Sequence, residues 1–299
     1  MAAPVFNETI TITFGDCAEN NRGMQQIGDR ADTGLTMDNM KEIRQSFVLA
    51  GAQCEWYDLR ALLPADKAAK APPAVVLVAR GAVTALIPEN GGADAMLVEQ
   101  QAESMKWDKH AKMYGVVREK KARHNLCYSH IPQEPDYAQG KGTIVAYSDV
   151  PHLNALRLAI GRLLSDPTNP LSNLQGEGNR YYAATTPKKM PYIGFHGDTE
   201  RRIVVAARLG ATFTLYYQWY EKNTAVGQLL TLQLSHGDMY VMSDAAVGYN
   251  WLPVSRPGFT LRHAAGPRAL EEVATKLRRK LAAAATKAST TPIAKNKSQ

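Results

Sequence analysis

Residues 193–202 read IGFHGDTERR and place a histidine and a carboxylate, His196 and Asp198, two positions apart. In an extended chain such side chains lie on the same side, because successive side chains alternate. Both can therefore reach one divalent metal ion. A second histidine from a distant strand would complete a two-histidine, one-carboxylate triad, the ligand set of non-haem Fe(II) oxygenases. The spacing alone is also compatible with an ordinary surface loop.

The surroundings of this motif are more specific. The segments NRYYAATTPKKMPYIGFHGDTERR, Leu209-Gly210 and LSHGDMYVMSDAAVGYNW follow one another along the chain. Their order, an N-R-Y strand, H-x-D with an acidic residue after it, a strand ending in glycine and an H-G-D hairpin, resembles the AlkB-like Fe(II)/2-oxoglutarate-dependent dioxygenases. The resemblance covers residues 110–266. It implies a double-stranded β-helix, or jelly roll, that binds Fe(II) between its sheets and uses 2-oxoglutarate and O2.

The resemblance also implies roles for single residues. His196 and Asp198 match the first two iron ligands of the family, and Asn179 and Tyr181 match a pair that hydrogen-bonds 2-oxoglutarate. Glu200 matches an acidic position that contacts the target base in some members. The alternative for Glu200 is a surface carboxylate paired with one of the two arginines that follow it.

The third iron ligand departs from the family pattern. Residues 247–254, VGYNWLPV, contain no histidine where the family has one. We expect the ligand to be His263, in FTLRHAAG, whereas His236 matches a family position that is not a ligand. A centre with only two protein ligands, or a cosubstrate other than 2-oxoglutarate, is the alternative.

In the family the closing strand supplies arginines for the cosubstrate carboxylates, and Arg262 lies in the corresponding stretch, so the resemblance implies this role for Arg262. An arginine suits it because a guanidinium matches a carboxylate in geometry and stays charged. Arg262 is adjacent to His263, however, and adjacent side chains of a regular strand point to opposite faces. Arg262 can therefore contribute only at a bulge or a strand end. Otherwise another arginine, such as Arg202, Arg208 or Arg256, takes this role.

The net charge of +7 is unevenly distributed. Residues 106–128 interleave basic and aromatic side chains, and the C-terminal end is basic and poor in large apolar residues. Such a mixture is typical of proteins that bind a polyanion with stacking bases; a solvated basic surface is the alternative. Nucleic acid, DNA or RNA, is therefore the expected partner. The expected phosphate-contacting and stacking residues are Trp107, Lys109, Lys112, Tyr114, Arg118, Lys120, Lys121 and Arg123.

Composition excludes several classes of protein. No run of 18 or more apolar residues occurs, so we expect no membrane span. The first residues lack the basic and apolar regions of a secretory signal. Three cysteines without C-x-x-C spacing argue against a disulfide framework or a zinc site. We therefore expect an intracellular protein, cytoplasmic or nuclear, of unspecified oligomeric state.

Periodicity predicts an α+β protein. Apolar spacing predicts helices within residues 37–51, 93–107, 152–164 and 269–285, and alternation predicts a strand at residues 8–14. Seven further short strands are predicted from residue 179 to residue 264, in the segments NRYYAAT, YIGFHGD, RIVVAARL, TFTLYYQWY, QLLTLQL, DMYVMS and GFTLRHA. This pattern suggests an N-terminal α/β extension of unassigned role (1–105), a dioxygenase domain with a basic lid and flanking helices (106–275) and a basic tail (276–299).

The expected activity is hydroxylation of a methyl group on a nucleic-acid base, which leads to demethylation or to an oxidised methyl-pyrimidine. The same chemistry on a protein side chain or a small molecule, or a degenerate homologue that only binds nucleic acid, is the alternative.

Overall fold

The computed structural model describes residues 7–121, 123–166, 168–181, 191–252 and 258–266. The helix predicted at 269–285, the basic tail and Arg256 lie outside the described residues.

The strands are β1 (Thr9–Gly15), β2 (Cys17–Glu19), β3 (Gln26–Gly28), β4 (Gln53–Asp58), β5 (Val75–Arg80), β6 (His110–Met113), β7 (Val116–Glu119), β8 (His124–Ser129), β9 (Ile144–Ala146), β10 (Gln175–Tyr181), β11 (Ile193–His196), β12 (Val204–Gly210), β13 (Phe213–Glu221), β14 (Thr224–Leu234), β15 (Met239–Met242) and β16 (Phe259–Ala265). The α-helices are α1 (Met37–Leu49), α2 (Ala65–Ala68), α3 (Ala82–Leu86), α4 (Gly92–Gln101), α5 (Pro151–Ile160) and α6 (Asp244–Val247), with 3₁₀ turns at Leu59–Leu62, Pro88–Asn90, Tyr137–Gln139 and Tyr147–Asp149.

Two sheets dominate the structure. An eight-stranded sheet has the order β4-β5-β15-β12-β1-β10-β8-β9, and a four-stranded sheet has the order β11-β16-β13-β14. The pairs β2–β3 and β6–β7 form two separate hairpins. The chain is therefore α+β and built mostly of strands, as predicted. The described strands form open sheets without a closed barrel, and the jelly roll stays a prediction.

Side-chain alternation divides the protein into layers. On one face of β1, Ile10, Ile12 and Phe14 belong to a core that also contains residues of α1, α3, α4 and α5. On the other face, Thr11 and Thr13 line a cavity between the two sheets. A second core joins β5, β12 and β15 of the large sheet to β13, β14 and β16 of the small one. The layers are thus helices, large sheet and small sheet.

The first strand of the chain lies in the middle of the large sheet. Thr11 of β1 pairs with Asn179 of β10 on one side and with Arg208 of β12 on the other. The strands β4 and β5 also join this sheet, through the pairing of β5 with β15. Strands from both sides of the domain boundary predicted near residue 105 therefore belong to one continuous sheet.

Local signals set the ends of α1. Thr36 and Asn39 form a reciprocal capping box at its start. The helix ends at Leu49, and Gly51 follows with a φ of 95°, a conformation that glycine adopts at little cost. The observed helix lies within the segment predicted for it, residues 37–51.

Trp107 is part of the core. A Cβ added to Gly178 of β10 would lie 2.9 Å from the Trp107 ring, so the missing side chain makes room for the indole. The indole nitrogen donates to the carbonyl of Gln100 at 3.2 Å. Trp107 is 7% exposed, which corrects its expected role as a stacking residue at the surface.

Candidate metal centre

The structure brings the three side chains predicted as metal ligands together. His196 ends β11 and pairs directly with His263 of β16, and their ring centroids are 4.5 Å apart. Oδ1 of Asp198 lies 3.5 Å from Nε2 of each histidine. One donor atom from each residue lies within 4.8 Å of the other two. Metal–ligand bonds of about 2.0–2.2 Å would place neighbouring ligand atoms roughly 3 Å apart. The three side chains therefore need to move only slightly towards one another to bind a divalent ion.

The loop that carries Asp198 depends on glycine. A Cβ added to Gly197 would lie 2.0 Å from the carbonyl oxygen of Gly248, which follows α6. The backbone N–H of Asp198 donates to the carbonyl of Val247 at 3.1 Å. The middle residue of the H-G-D motif therefore has to be small, because the end of α6 packs against it.

The protonation states suit a metal. Nδ1 of His196 lies 2.8 Å from the carbonyl of Gly194, so it carries the hydrogen, and Nε2 faces Asp198 with its lone pair. Burial, followed by the neighbouring His263, lowers the pKa of His196 to about 4. Burial raises the pKa of Asp198, but the hydrogen bond with His263 and nearby positive charge outweigh it and hold this pKa below its usual range. A neutral imidazole and an ionised carboxylate are the forms that bind metal.

Arg208 lies in the same cavity, whose volume is about 260 Å³. The residue is 1% exposed, and its Nη1 donates to Oγ1 of Thr11. Its guanidinium lies 5.3 Å from the ring centroid of Phe213 and 5.9 Å from that of Tyr240. Within the described part of the chain, Nε and Nη2 have no hydrogen-bond partner. Buried donors are almost always satisfied, so this arginine is suited to an anionic ligand.

Arg262 does not reach the cavity, which corrects its expected role. Its guanidinium lies 4.0 Å from the ring centroid of Tyr220 and 5.1 Å from that of Trp251, and it donates to Asn223. The pairing of β16 with β13 is regular along its length, so Arg262 and the adjacent His263 point to opposite faces. The pairing of β16 with β11 does have a register shift, but the extra residue lies on β11, between Ile193 and His196. The bulge on β16 that this role required does not occur.

Two other arginines, Arg202 and Arg256, were alternatives to Arg262 for binding the cosubstrate. Arg202 donates to Asp244 at 2.6 Å and stacks 3.7 Å from the Tyr249 ring centroid, outside the cavity. Arg256 lies outside the described residues. Arg208 is therefore the one of the three that the structure places near the metal cluster.

Asn179 and Tyr181 both line the cavity. Oδ1 of Asn179 accepts hydrogen bonds from Arg123 and Asn125, and Nδ2 donates to Glu177 at 3.0 Å. The amide thus orients protein side chains. Tyr181 packs on the Phe213 ring, with centroids 4.5 Å apart.

Acidic residues gather at the mouth of the cavity. Glu200 lines it, and its Oε1 lies 3.0 Å from Nη2 of Arg201, so the predicted position in the site and the alternative ion pair occur together. Glu19, from β2, also lines it, and burial and the charge of Glu200 raise the pKa of Glu19 to about 7. No motif in the sequence marks Glu19 or Glu177, and the sequence suggested Arg201 only as a possible surface partner of Glu200.

The middle of the basic segment, residues 110–119, forms the exposed β6–β7 hairpin. Tyr114 at its tip is 98% exposed, and Arg118 and Lys121 are exposed nearby. Arg123 instead turns into the cavity. Lys120 is 4% exposed and donates to Asn20 at 2.6 Å, and burial lowers its pKa to about 8. Its expected phosphate contact is therefore corrected, because its ammonium group points inward.

A second cavity, of about 920 Å³, lies under the hairpin tip. Arg22, Lys112, Tyr114 and Lys141 line it, and no described acidic residue does. Nζ of Lys112 donates to the carbonyl of Ala138 at 2.8 Å, which holds this lysine in place. Arg22 also lines the metal cavity, so the two openings adjoin.

His236 is held away from the metal cluster. Its Nδ1 accepts from the backbone N–H of Gly210 at 3.0 Å, and its Nε2 lies 3.1 Å from Asp94. The histidine therefore has a structural role, in agreement with the family position that it matches.

Comparison with known proteins identifies a relative of viral origin. The chain is 39% identical, over 259 residues, to the uncharacterized protein R156 of Acanthamoeba polyphaga mimivirus, an alignment that covers 87% of this chain and 96% of the viral protein. The chain belongs to the family of that protein. No protein-family profile matches it. Membership of the R156 family assigns no activity, so the chemistry has to be argued from the site. None of the helices in the described ranges is long and apolar enough to cross a membrane.

Proposed function

We propose that the protein is an Fe(II)/2-oxoglutarate-dependent dioxygenase that oxidises a methyl group on a nucleic-acid base. The main support is the cluster of His196, Asp198 and His263 beside the buried, partly unpaired Arg208 in one cavity. Two histidines and one carboxylate leave coordination positions open for other ligands.

The proposed fold is the double-stranded β-helix of the AlkB-like enzymes. In this proposal β10, β1, β12 and β15 form one wall, and β11, β16, β13 and β14 form the other. Residues of both walls line the metal cavity, which supports the assignment. In the wall from the larger sheet, β1 lies between β12 and β10.

His196, Asp198 and His263 would hold the iron. When bound, iron together with 2-oxoglutarate and O2 supplies oxidation of a C–H bond, while the 2-oxoacid is decarboxylated to succinate. The chain's own contribution is to supply the two imidazoles and the carboxylate and to hold them at one edge of the cavity.

Arg208 and Thr11 would bind a carboxylate of the cosubstrate. The free Nε and Nη2 of Arg208 can form the bidentate pair that guanidinium and carboxylate prefer. The guanidinium contacts the rings of Phe213 and Tyr240 and is buried, so little rotational freedom is lost on binding.

The polar mouth of the cavity would receive the base. Glu19 and Glu200 offer carboxylate oxygens to N–H groups on the base edge, and a base within a duplex must first be flipped out. The basic cavity next to it, with Tyr114 at the hairpin tip, supplies positive charge and an aromatic face for the flanking strand.

The test is succinate release by the full chain with Fe(II), 2-oxoglutarate and a panel of methylated DNA and RNA oligonucleotides. We expect release that depends on the oligonucleotide, and none from His263→Ala. His236→Ala is the matched control and should retain the activity, because this histidine lies outside the metal cluster.

Other outcomes redirect the proposal. Turnover with methylated peptides or small molecules instead of oligonucleotides would keep the chemistry and remove the nucleic acid. Absence of anaerobic Fe(II) binding by the wild-type chain would contradict the dioxygenase and leave a degenerate binding protein.

A further inference from the structure

Arg201 is buried among three carboxylates beside the metal cluster. Its side chain is 4% exposed, and Nη2 donates to Glu177. Nη2 also lies 3.0 Å from Oε1 of Glu200, and Nε donates to the same oxygen at 3.1 Å. Nε also forms an ion pair with Oδ2 of Asp198 at 3.7 Å. One guanidinium thus offsets part of the charge of a cluster whose carboxylates would otherwise repel one another at low dielectric.

The two oxygens of Asp198 have different neighbours. Oδ1 faces the imidazoles of His196 and His263 at 3.5 Å each. Oδ2 faces Arg201. Oδ1 therefore points to the position of the metal, whereas Oδ2 points to a fixed positive charge.

Other side chains hold Arg201 in place. Glu177 also accepts from Nδ2 of Asn179 at 3.0 Å, and Asn179 in turn accepts from Arg123 and Asn125. The guanidinium is therefore tied through Glu177 to a row of polar side chains on the large sheet. Rigid support of this kind is what a ligand needs in order to keep one orientation.

We propose that Arg201 is a positioning residue that keeps Asp198 a single-oxygen ligand. Through its ion pair with Oδ2 it holds that oxygen away from the metal position, leaves Oδ1 for the metal and prevents the carboxylate from binding through both oxygens. One coordination position therefore stays open. This inference rests on the metal centre of the proposed function and on no assumption about the substrate.

The competing explanation is that Arg201 serves only the stability of the fold, as a buried ion pair. A buried cation with several partners is costly to break whatever its purpose, and loss of one partner leaves an uncompensated charge. Stability alone cannot separate the two explanations, so the test has to report on the metal.

The experiment compares Arg201→Met, Arg201→Lys and Arg202→Met with the wild-type full chain. Anaerobic calorimetry measures the affinity for Mn(II) and Co(II), and the visible absorption of the Co(II) form reports its coordination. We expect Arg201→Met to weaken metal binding by about 10–100-fold, the range for loss of an outer-shell partner, and to alter the Co(II) spectrum. Arg202→Met is the control, since Arg202 lies outside the cavity, and should match the wild type.

Arg201→Lys covers the case in which the methionine variant fails to fold. Lysine keeps the charge but lacks the planar fork, so we expect the affinity to recover in part while the spectrum stays altered. Wild-type affinity and spectrum in a folded Arg201→Met or Arg201→Lys chain would overturn the role of Arg201. Failure of the wild-type chain to bind either metal would instead overturn the metal centre itself, so the two failures are distinguishable.

Discussion

Arg208→Met should weaken the binding of 2-oxoglutarate and, at the same time, stabilise the ligand-free protein. The residue is 1% exposed, and two of its nitrogens have no hydrogen-bond partner in the part of the chain described. Methionine is of similar length and carries no charge. The substitution therefore removes a buried cation that is only partly satisfied in the absence of a ligand.

The size of both effects follows from these contacts. A hydrogen bond to a charged group contributes about 1.5–3 kcal/mol, so loss of two to the cosubstrate amounts to about 3–6 kcal/mol. At about 1.4 kcal/mol per factor of ten, the dissociation constant should rise by roughly 10²–10⁴. Replacing a buried charge by an apolar side chain of similar volume is often stabilising by about 1–4 kcal/mol. The lost hydrogen bond to Thr11 and the two ring contacts of the guanidinium reduce this gain.

The assay is thermal unfolding of the Mn(II)-loaded chain with and without 2-oxoglutarate. We expect the cosubstrate to raise the midpoint of the wild type, since it binds the folded state, and to leave that of Arg208→Met unchanged. Arg180→Met is the control, because Arg180 is already paired with Glu8 at 2.8 Å, and it should retain the cosubstrate response. A lower midpoint in ligand-free Arg208→Met together with wild-type cosubstrate binding would refute the reasoning.

Three further predictions concern the surroundings of the site. Gly197→Ala should lose metal binding, measured by calorimetry, because the new Cβ would meet the carbonyl of Gly248; unchanged affinity would contradict the close packing. Glu19→Gln should raise the midpoint of unfolding at pH 8 and leave it unchanged at pH 4, since burial and a neighbouring carboxylate raise the pKa of Glu19 to about 7 and its ionisation above that pH costs stability. Arg118→Glu should weaken oligonucleotide binding and reduce its salt dependence in a filter-binding titration, whereas Lys120→Glu should first of all destabilise the fold, because Lys120 is 4% exposed; equal stability of the two variants would show that Lys120 is not buried.

Local patterns in the sequence were sufficient for most elements. The strand prediction over TFTLYYQWY corresponds to β13, and the helix predicted from residue 37 corresponds to α1. Both depend on neighbours a few residues away, through alternation, apolar spacing and a cap. The H-x-D spacing is local as well, which is why His196 and Asp198 could be proposed as a pair.

Features that depend on distant partners could not be read in this way. The charge of Lys120 suggested a surface residue, but Asn20, 100 residues earlier, accepts a hydrogen bond from its ammonium group inside the protein. No sequence motif marks the pair of Arg201 and Glu177. Their role depends on a buried hydrogen bond between residues 24 positions apart. The choice between Arg262 and Arg208 depended on whether β16 has a bulge, which is a property of its pairing with another strand.

The central position of β1 has a consequence for how the protein is made. The contacts Thr9 to Ala211 and Arg208 to Thr11 span 202 and 197 residues. During synthesis β1 leaves the ribosome first and has to wait for both neighbouring strands, so the large sheet cannot close until most of the chain is present. Non-local pairings of this kind fold slowly, and TITITF is a segment of high β-propensity without charge or proline, the composition that favours intermolecular strand stacking. The strand that holds the large sheet together is therefore also a segment prone to aggregation in the nascent chain.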